Sequence, residues 1–214
     1  MNKRDYKQFA KGSIYHIYNR GVNKMNIFET EYDYRVFLFR LKENLFPNNE
    51  KDTRSKLPKR QQRRKLLPPN SFELIAYCLM PNHFHLLIQQ KTELPITKLI
   101  SKVCTGYSKY FNKTYERVGQ LFQDQFKSIT IDDNEQLLWT SFYIHKNPIE
   151  AGMVENPEQY NWSSYKEYLE NKNYFCNKKI ILEQFNNPKK YFEYFKKDNE
   201  SIVSLRYLYF DFNE

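Results

Sequence analysis

Cysteine is scarce in this chain: Cys78, Cys104 and Cys176 form no CxxC pair and are odd in number. That argues against a disulfide framework or a zinc ribbon and leaves three ordinary buried or half-buried thiols. No apolar run approaches the roughly 18 residues of a membrane-crossing helix. The start, residues 1–13, has a basic region but not the apolar core of a signal peptide, so the expected location is cytoplasmic and no membrane partner is expected. Histidine is also rare, with four in 214 residues, and only five residues are glycine.

What is present describes a globular protein. Apolar residues make up 40% and aromatic residues 17%, too many for a disordered chain, with 28% charged. The length fits one compact domain with an appendage. The net charge of +9 favours a polyanionic partner, because phosphates neutralised by Lys or Arg release condensed counterions.

Residues 13–19, rich in β-branched and aromatic side chains, read as a strand closed by Asn19-Arg20-Gly21. Tyr34, Phe37, Leu38, Leu41 and Leu45 recur at helical spacing, predicting a helix over 31–46. Residues 51–65 hold eight basic residues against one acid, Asp52, and are read as an insertion (48–70 with its flanks), either a solvated loop or a DNA-backbone arm. Two apolar strands, 72–79 and 83–89, flank Met80-Pro81-Asn82 as a hairpin covered on both faces. A helix over 94–115 and a strand over 125–131 follow. Asp132-Asp133-Asn134 then caps a helix expected to stop near Lys146, before Pro148. This order implies an α+β fold, a ferredoxin-like antiparallel sheet with helices packed on it. Residues 1–168 form the expected domain, and 169–214 a tail with short helices over 178–185 and 188–197.

Two of the four histidines, His83 and His85, flank Phe84 on the second hairpin strand. Strand side chains alternate, so both imidazoles leave one face and can chelate one cation. A His-x-His pair alone also suits a zinc site. In Tyr143-Ile144-His145-Lys146-Asn147-Pro148, Tyr143 and Asn147 are four apart and share a helix face. A tyrosine hydroxyl can thus stand beside an amide oxygen able to complete a metal's coordination, with His145 turned away.

Residues 76–88 and 143–154 resemble the two hallmark blocks of the REP-associated tyrosine transposases, in the single-tyrosine branch of the HUH endonucleases. Tyr15-His16-Ile17-Tyr18-Asn19-Arg20-Gly21, Gly119-Gln120-Leu121-Phe122-Gln123 and Trp162-Ser163-Ser164-Tyr165 support it, over about residues 12–168. The resemblance implies the HUH fold and a transposase that cleaves single-stranded DNA near a hairpin through a 5′-phosphotyrosine. It makes Tyr143 the nucleophile, His83 and His85 metal ligands and Asn147 the third, where relatives often have glutamine. A divalent metal, magnesium or manganese, is the expected cofactor. Arg20 and Lys127, with Arg60, Arg63 and Arg64 of the insertion, are candidate DNA contacts, and His145 is read as a DNA contact or a structural residue rather than a metal ligand. A domesticated, non-catalytic hairpin-binding protein is the alternative, and monomer or homodimer is left open. Tyr107, Tyr110 and Phe122 are read as core rather than as base-stacking platforms.

Overall fold

A computed structural model of the chain describes residues 9–47, 66–170, 175–185 and 190–193. Four strands, β1 (Ile14–Arg20), β2 (Phe72–Met80), β3 (His83–Gln90) and β4 (Lys127–Ile131), form one antiparallel sheet in the order β2-β3-β1-β4. The helix α1 (Glu31–Leu45) joins β1 to β2, and α2 (Ile96–Thr114) joins β3 to β4. Each helix-linked pair is therefore split by a strand lying between its members, which is the ferredoxin-like arrangement expected from the element order.

Alternation along the strands assigns each residue to a layer. Tyr15 and Ile17 of β1 and Phe84, Leu86 and Ile88 of β3 pack with Phe37 and Leu41 of α1 and Leu99, Val103, Tyr107 and Phe111 of α2. Burying each such side chain contributes roughly 1.5–3 kcal/mol. Tyr107 and Phe122 belong to this core, and Tyr110 packs partly buried against it, as the sequence suggests. Cys78 and Cys176 are buried and Cys104 is half-buried. Asp33 couples the two helices: it closes the Thr30 capping box of α1 and accepts the phenol protons of Tyr110 and Tyr115, each at 2.7 Å. Burial alone would raise its pKa; these phenols and the backbone N–H groups of Thr30 and Glu29 outweigh that and hold it below the usual carboxylate value.

The opposite face is covered by α3 (Asn134–Glu150) and by the segments C-terminal to it. Ala76, Cys78, Met80 and Leu87 of the sheet meet Leu137, Phe142, Tyr143 and Ile144 of α3. Tyr160, then Tyr165 and Tyr168 from α4 (Tyr165–Leu169), Ile181 from α5 (Lys179–Leu182) and Tyr191 complete this second core. Residues 190–193 are helical; the remainder of the helix expected over 188–197 lies outside the described residues.

One boundary is corrected. The Asp133 cap is as expected, its carboxylate accepting from the Gln136 N–H at 2.7 Å, but α3 runs through Pro148 to Glu150. Proline there removes one donor and crowds the Ile144 carbonyl, but with only two helical residues after it the helix carries on to its end. The actual stop is Gly152, at φ +65°. Its N–H donates to the Ile149 carbonyl and that of Met153 to the Pro148 carbonyl, each at 2.9 Å. These are the two bonds of a Schellman ending, for which a glycine in the left-handed region is best suited.

Candidate active site

The second face of the sheet carries the histidines. The Pro81-Asn82 turn that joins β2 to β3 is gripped from the other side by the end of β1: the Gly21 N–H donates to the Asn82 carbonyl at 2.8 Å. Gly21 sits so close to the following turn that a Cβ there would lie 2.2 Å from the Met25 carbonyl oxygen, so glycine is required. Asn82, thus held, donates from Nδ2 to the Lys24 carbonyl at 3.3 Å and turns Oδ1 to His83 Nδ1 at 2.6 Å. Two residues on, His85 faces the same way; its ring centroid is 5.0 Å from that of His83, at right angles to it.

α3 crosses this face and brings the tyrosine to the dyad. The Tyr143 ring stands edge-on to His85, centroids 5.4 Å apart. One turn later Asn147 donates from Nδ2 to the Tyr143 carbonyl at 2.9 Å, and its side chain also hydrogen-bonds His83. The four residues singled out in two distant segments therefore meet in one cluster. Tyr143 is 4% exposed, Asn147 9%, and His83 is half-buried at the rim.

All the imidazoles here are held neutral. Burial pushes His83 down to about 4, helped by the Arg20 charge and opposed by the Asn147 hydrogen bond. His85 lies well below its ordinary value through burial and then the nearness of His83 and His16. Neutral imidazoles are ready ligands, since no proton has to leave before a cation binds.

The donor set fits a divalent cation. His83 and His85 each commit Nδ1 to a protein partner, so Nε2 is the nitrogen each can offer. Ring nitrogens bind about 2.0–2.1 Å from a metal, and rings 5.0 Å apart can both reach one ion. Among the described residues no group of three or more His, Cys, Asp or Glu side chains could hold a metal; the Asn147 side chain, hydrogen-bonded to His83, brings an amide oxygen to the same cluster as a further donor. Two nitrogens and one amide oxygen suit manganese or zinc better than magnesium, which favours all-oxygen sites.

The other candidates divide. Arg20 pairs with His83 across β1 and β3, is half-buried, and its Nε makes no hydrogen bond among the described residues. Lys127 is exposed at the start of edge strand β4. Arg60, Arg63 and Arg64 lie outside the described residues. For His145 the DNA-contact reading is corrected in favour of the structural one: it is fully buried, with Nδ1 2.9 Å from the Tyr191 hydroxyl and Nε2 2.7 Å from Ser164 Oγ. It braces the second core and cannot touch DNA there; burial lowers its pKa to about 3.

His16 joins the site although the sequence did not mark it as a site residue. It is fully buried on β1, with Nε2 2.9 Å from His85 Nδ1 and the two rings stacked. The available signal was that a ferredoxin-like order puts β1 beside β3, where a β1 histidine can meet the dyad.

Comparison with known proteins shows the family and the fold. The family model described as transposase IS200 like matches residues 34–147. A candidate REP-associated tyrosine transposase of Haemophilus influenzae is 30% identical over 108 residues, 44% of this chain and 59% of that protein, so the chain spans less than two thirds of the relative's length. A solved REP-associated tyrosine transposase bound to a REP hairpin is 14% identical, with a TM-score of 0.56 over 79% of this chain and 86% of that one. At that identity the likeness is one of fold. With more than half of its length matched by the family model, in a stretch containing His83, His85, Tyr143 and Asn147, the chain belongs to the IS200-like transposase family.

Proposed function

We propose that this protein is a metal-dependent transposase that nicks and rejoins single-stranded DNA near hairpins through a 5′-phosphotyrosine on Tyr143. The observation that carries this reading is Tyr143 edge-on to His85 at 5.4 Å. Of the eighteen tyrosines, Tyr143 and Tyr18 both lie against His85, at 5.4 and 5.9 Å between ring centroids; Tyr143 is the one delivered by a separate helix, one turn before Asn147. Family membership and the hairpin-bound fold relative support the same substrate class.

The chemistry poses two physical problems. A phosphodiester repels an incoming phenolate, and a phenol with pKa near 10 is only about one part in a thousand ionised at neutral pH. A divalent cation held by His83, His85 and Asn147 would offset charge on a non-bridging oxygen and help the phenol lose its proton. Tyr143 forms the bond to phosphorus, the 3′ oxygen leaves and takes up a proton, and the phenolic proton passes to water. Rejoining reverses these changes, so the ester energy is conserved and no nucleotide is consumed. Arg20, beside His83, is suited to hold a DNA phosphate, and Lys127 to meet the backbone at the sheet edge. Tyr143 is only 4% exposed, so the side chains around it must give way for a phosphate to reach its hydroxyl.

The test is a nicking assay with labelled single-stranded hairpins taken from the flanks of the protein's own gene, with manganese or magnesium and with chelator. Cutting at one position, abolished by chelator, is expected. Tight hairpin binding without cutting under any metal would support a domesticated DNA-binding protein instead.

A further inference from the structure

The buried histidine on β1 has no part in the chemistry above, yet it touches the dyad. His16 Nε2 lies 2.9 Å from His85 Nδ1, the ring planes inclined by 18° with centroids 5.1 Å apart. Tyr18 and Tyr143 wall it in, at 5.1 and 5.9 Å between centroids. A hydrogen bond between two neutral imidazoles contains one proton, so one nitrogen donates and the other accepts. If His85 donates from Nδ1, its Nε2 carries the lone pair that a cation needs. If His16 donates instead, the His85 proton sits on Nε2 and closes that position.

His83 shows which arrangement the fold builds. The Asn82 amide is oriented by its Nδ2 bond to the Lys24 carbonyl, so its Oδ1 faces His83 Nδ1 and can only accept. His83 is thereby fixed with its proton on Nδ1 and an unprotonated Nε2, and the Asn147 side chain also hydrogen-bonds this ring. Chelation by the pair requires the same of His85.

We propose that His16 is a positioning residue that accepts the Nδ1–H of His85 and so fixes the ring plane and tautomer in which His85 offers Nε2 to the divalent cation. This rests on the metal site proposed above. Outer partners of metal-bound histidines are commonly carboxylates or carbonyls. An imidazole acceptor does the same work without placing a negative charge under a site that has to receive an anionic phosphate. A leucine or valine at this β1 position would fill the layer without burying ring nitrogens, so packing alone does not call for histidine.

The test begins with the full-length wild-type protein, labelled with nitrogen-15, in long-range proton–nitrogen spectra of its histidines. The expected result is His85 protonated on Nδ1 and bare on Nε2, with Nε2 the nitrogen that shifts on adding zinc; His85 protonated on Nε2 overturns the proposal. Calorimetric zinc and manganese titrations of His16→Phe, which keeps a ring and removes the acceptor, are expected to show a loss of roughly 10–100-fold in affinity, the range for outer-partner changes. His16→Gln, whose amide oxygen can accept, is expected to recover part of it. Melting curves accompany each variant. Wild-type affinity in a folded His16→Phe overturns the positioning role alone. A wild-type protein that binds no divalent metal overturns the metal site itself, and that result appears before any variant is made. If His16→Phe does not fold, the wild-type spectra still decide.

Discussion

Replacing His145 with alanine separates a core role from a DNA-contacting one. The side chain is fully buried, bonded at both nitrogens to Tyr191 and Ser164, and packed edge-on to Tyr168 with centroids 4.7 Å apart. Losing the two hydrogen bonds costs about 1 kcal/mol each, and the space left by the ring adds about 2 more. Ser164 Oγ also accepts from the Tyr77 N–H at 2.9 Å, so the damage spreads to the registry of the α4 segment with β2. A total of about 4 kcal/mol corresponds to a fall in melting temperature on the order of 10 °C for a chain of this size. The pH dependence has a definite sign. His145 has its folded pKa lowered to about 3 from 6.5, so the native state binds fewer protons than the unfolded one. Its contribution is whole above pH 6.5 and is lost progressively as pH falls towards 3, by about 2 kcal/mol at pH 5. Thermal melts of wild type, His145→Ala and His145→Gln at pH 7.5 and 5 read both effects; the glutamine variant, which cannot titrate, should lose less on acidification than wild type. An alanine variant that melts within a degree of wild type but binds hairpin DNA more weakly would refute this assignment.

Changing His83 or His85 to alanine should abolish both divalent-metal binding in calorimetry and metal-dependent cleavage; full cleavage in either variant, or in excess chelator, would remove the dyad from the mechanism. Asn147→Ala deletes the bonds to the Tyr143 carbonyl and to His83, so metal affinity should fall and stability drop by about 2 kcal/mol. Unchanged metal affinity would exclude the amide as a ligand. Deleting residues 51–65 should weaken DNA binding and flatten its salt dependence by about 0.7 in log–log slope for each single-strand phosphate no longer neutralised. Discrimination between matched and scrambled hairpins should survive, since phosphate contacts position DNA and base contacts specify it. Identical slopes would make the basic run a solvated loop.

Much of the site was legible because it rests on short-range periodicity. The period of two in His83-Phe84-His85 places both imidazoles on one face, and the four-residue spacing of Tyr143 and Asn147 places them on one helix side. The fold class followed from the order of elements. What was not legible depends on tertiary partners. The contact of His16 with His85 needs the β1–β3 neighbour relation. The burial of His145 depends on Ser164 and Tyr191, which are distant in sequence, so an exposed and a buried reading of the same helix face look alike until those segments are placed. Pro148 resembles a helix breaker in sequence but is tolerated, whereas Gly152, which the helix needs for its left-handed ending, was the stronger stop signal.

The mechanism stands or falls on Tyr143 being the residue joined to DNA. The direct measurement is to trap the protein on a 5′-labelled and 3′-labelled hairpin pair in manganese, isolate the denaturant-resistant adduct, digest it, and identify the modified peptide by mass spectrometry. The predicted result is one adduct, carrying the 5′-phosphate fragment on Tyr143, and none with Tyr143→Phe, which should still bind the hairpin. An adduct on any other residue, or one that persists in Tyr143→Phe, would contradict this mechanism.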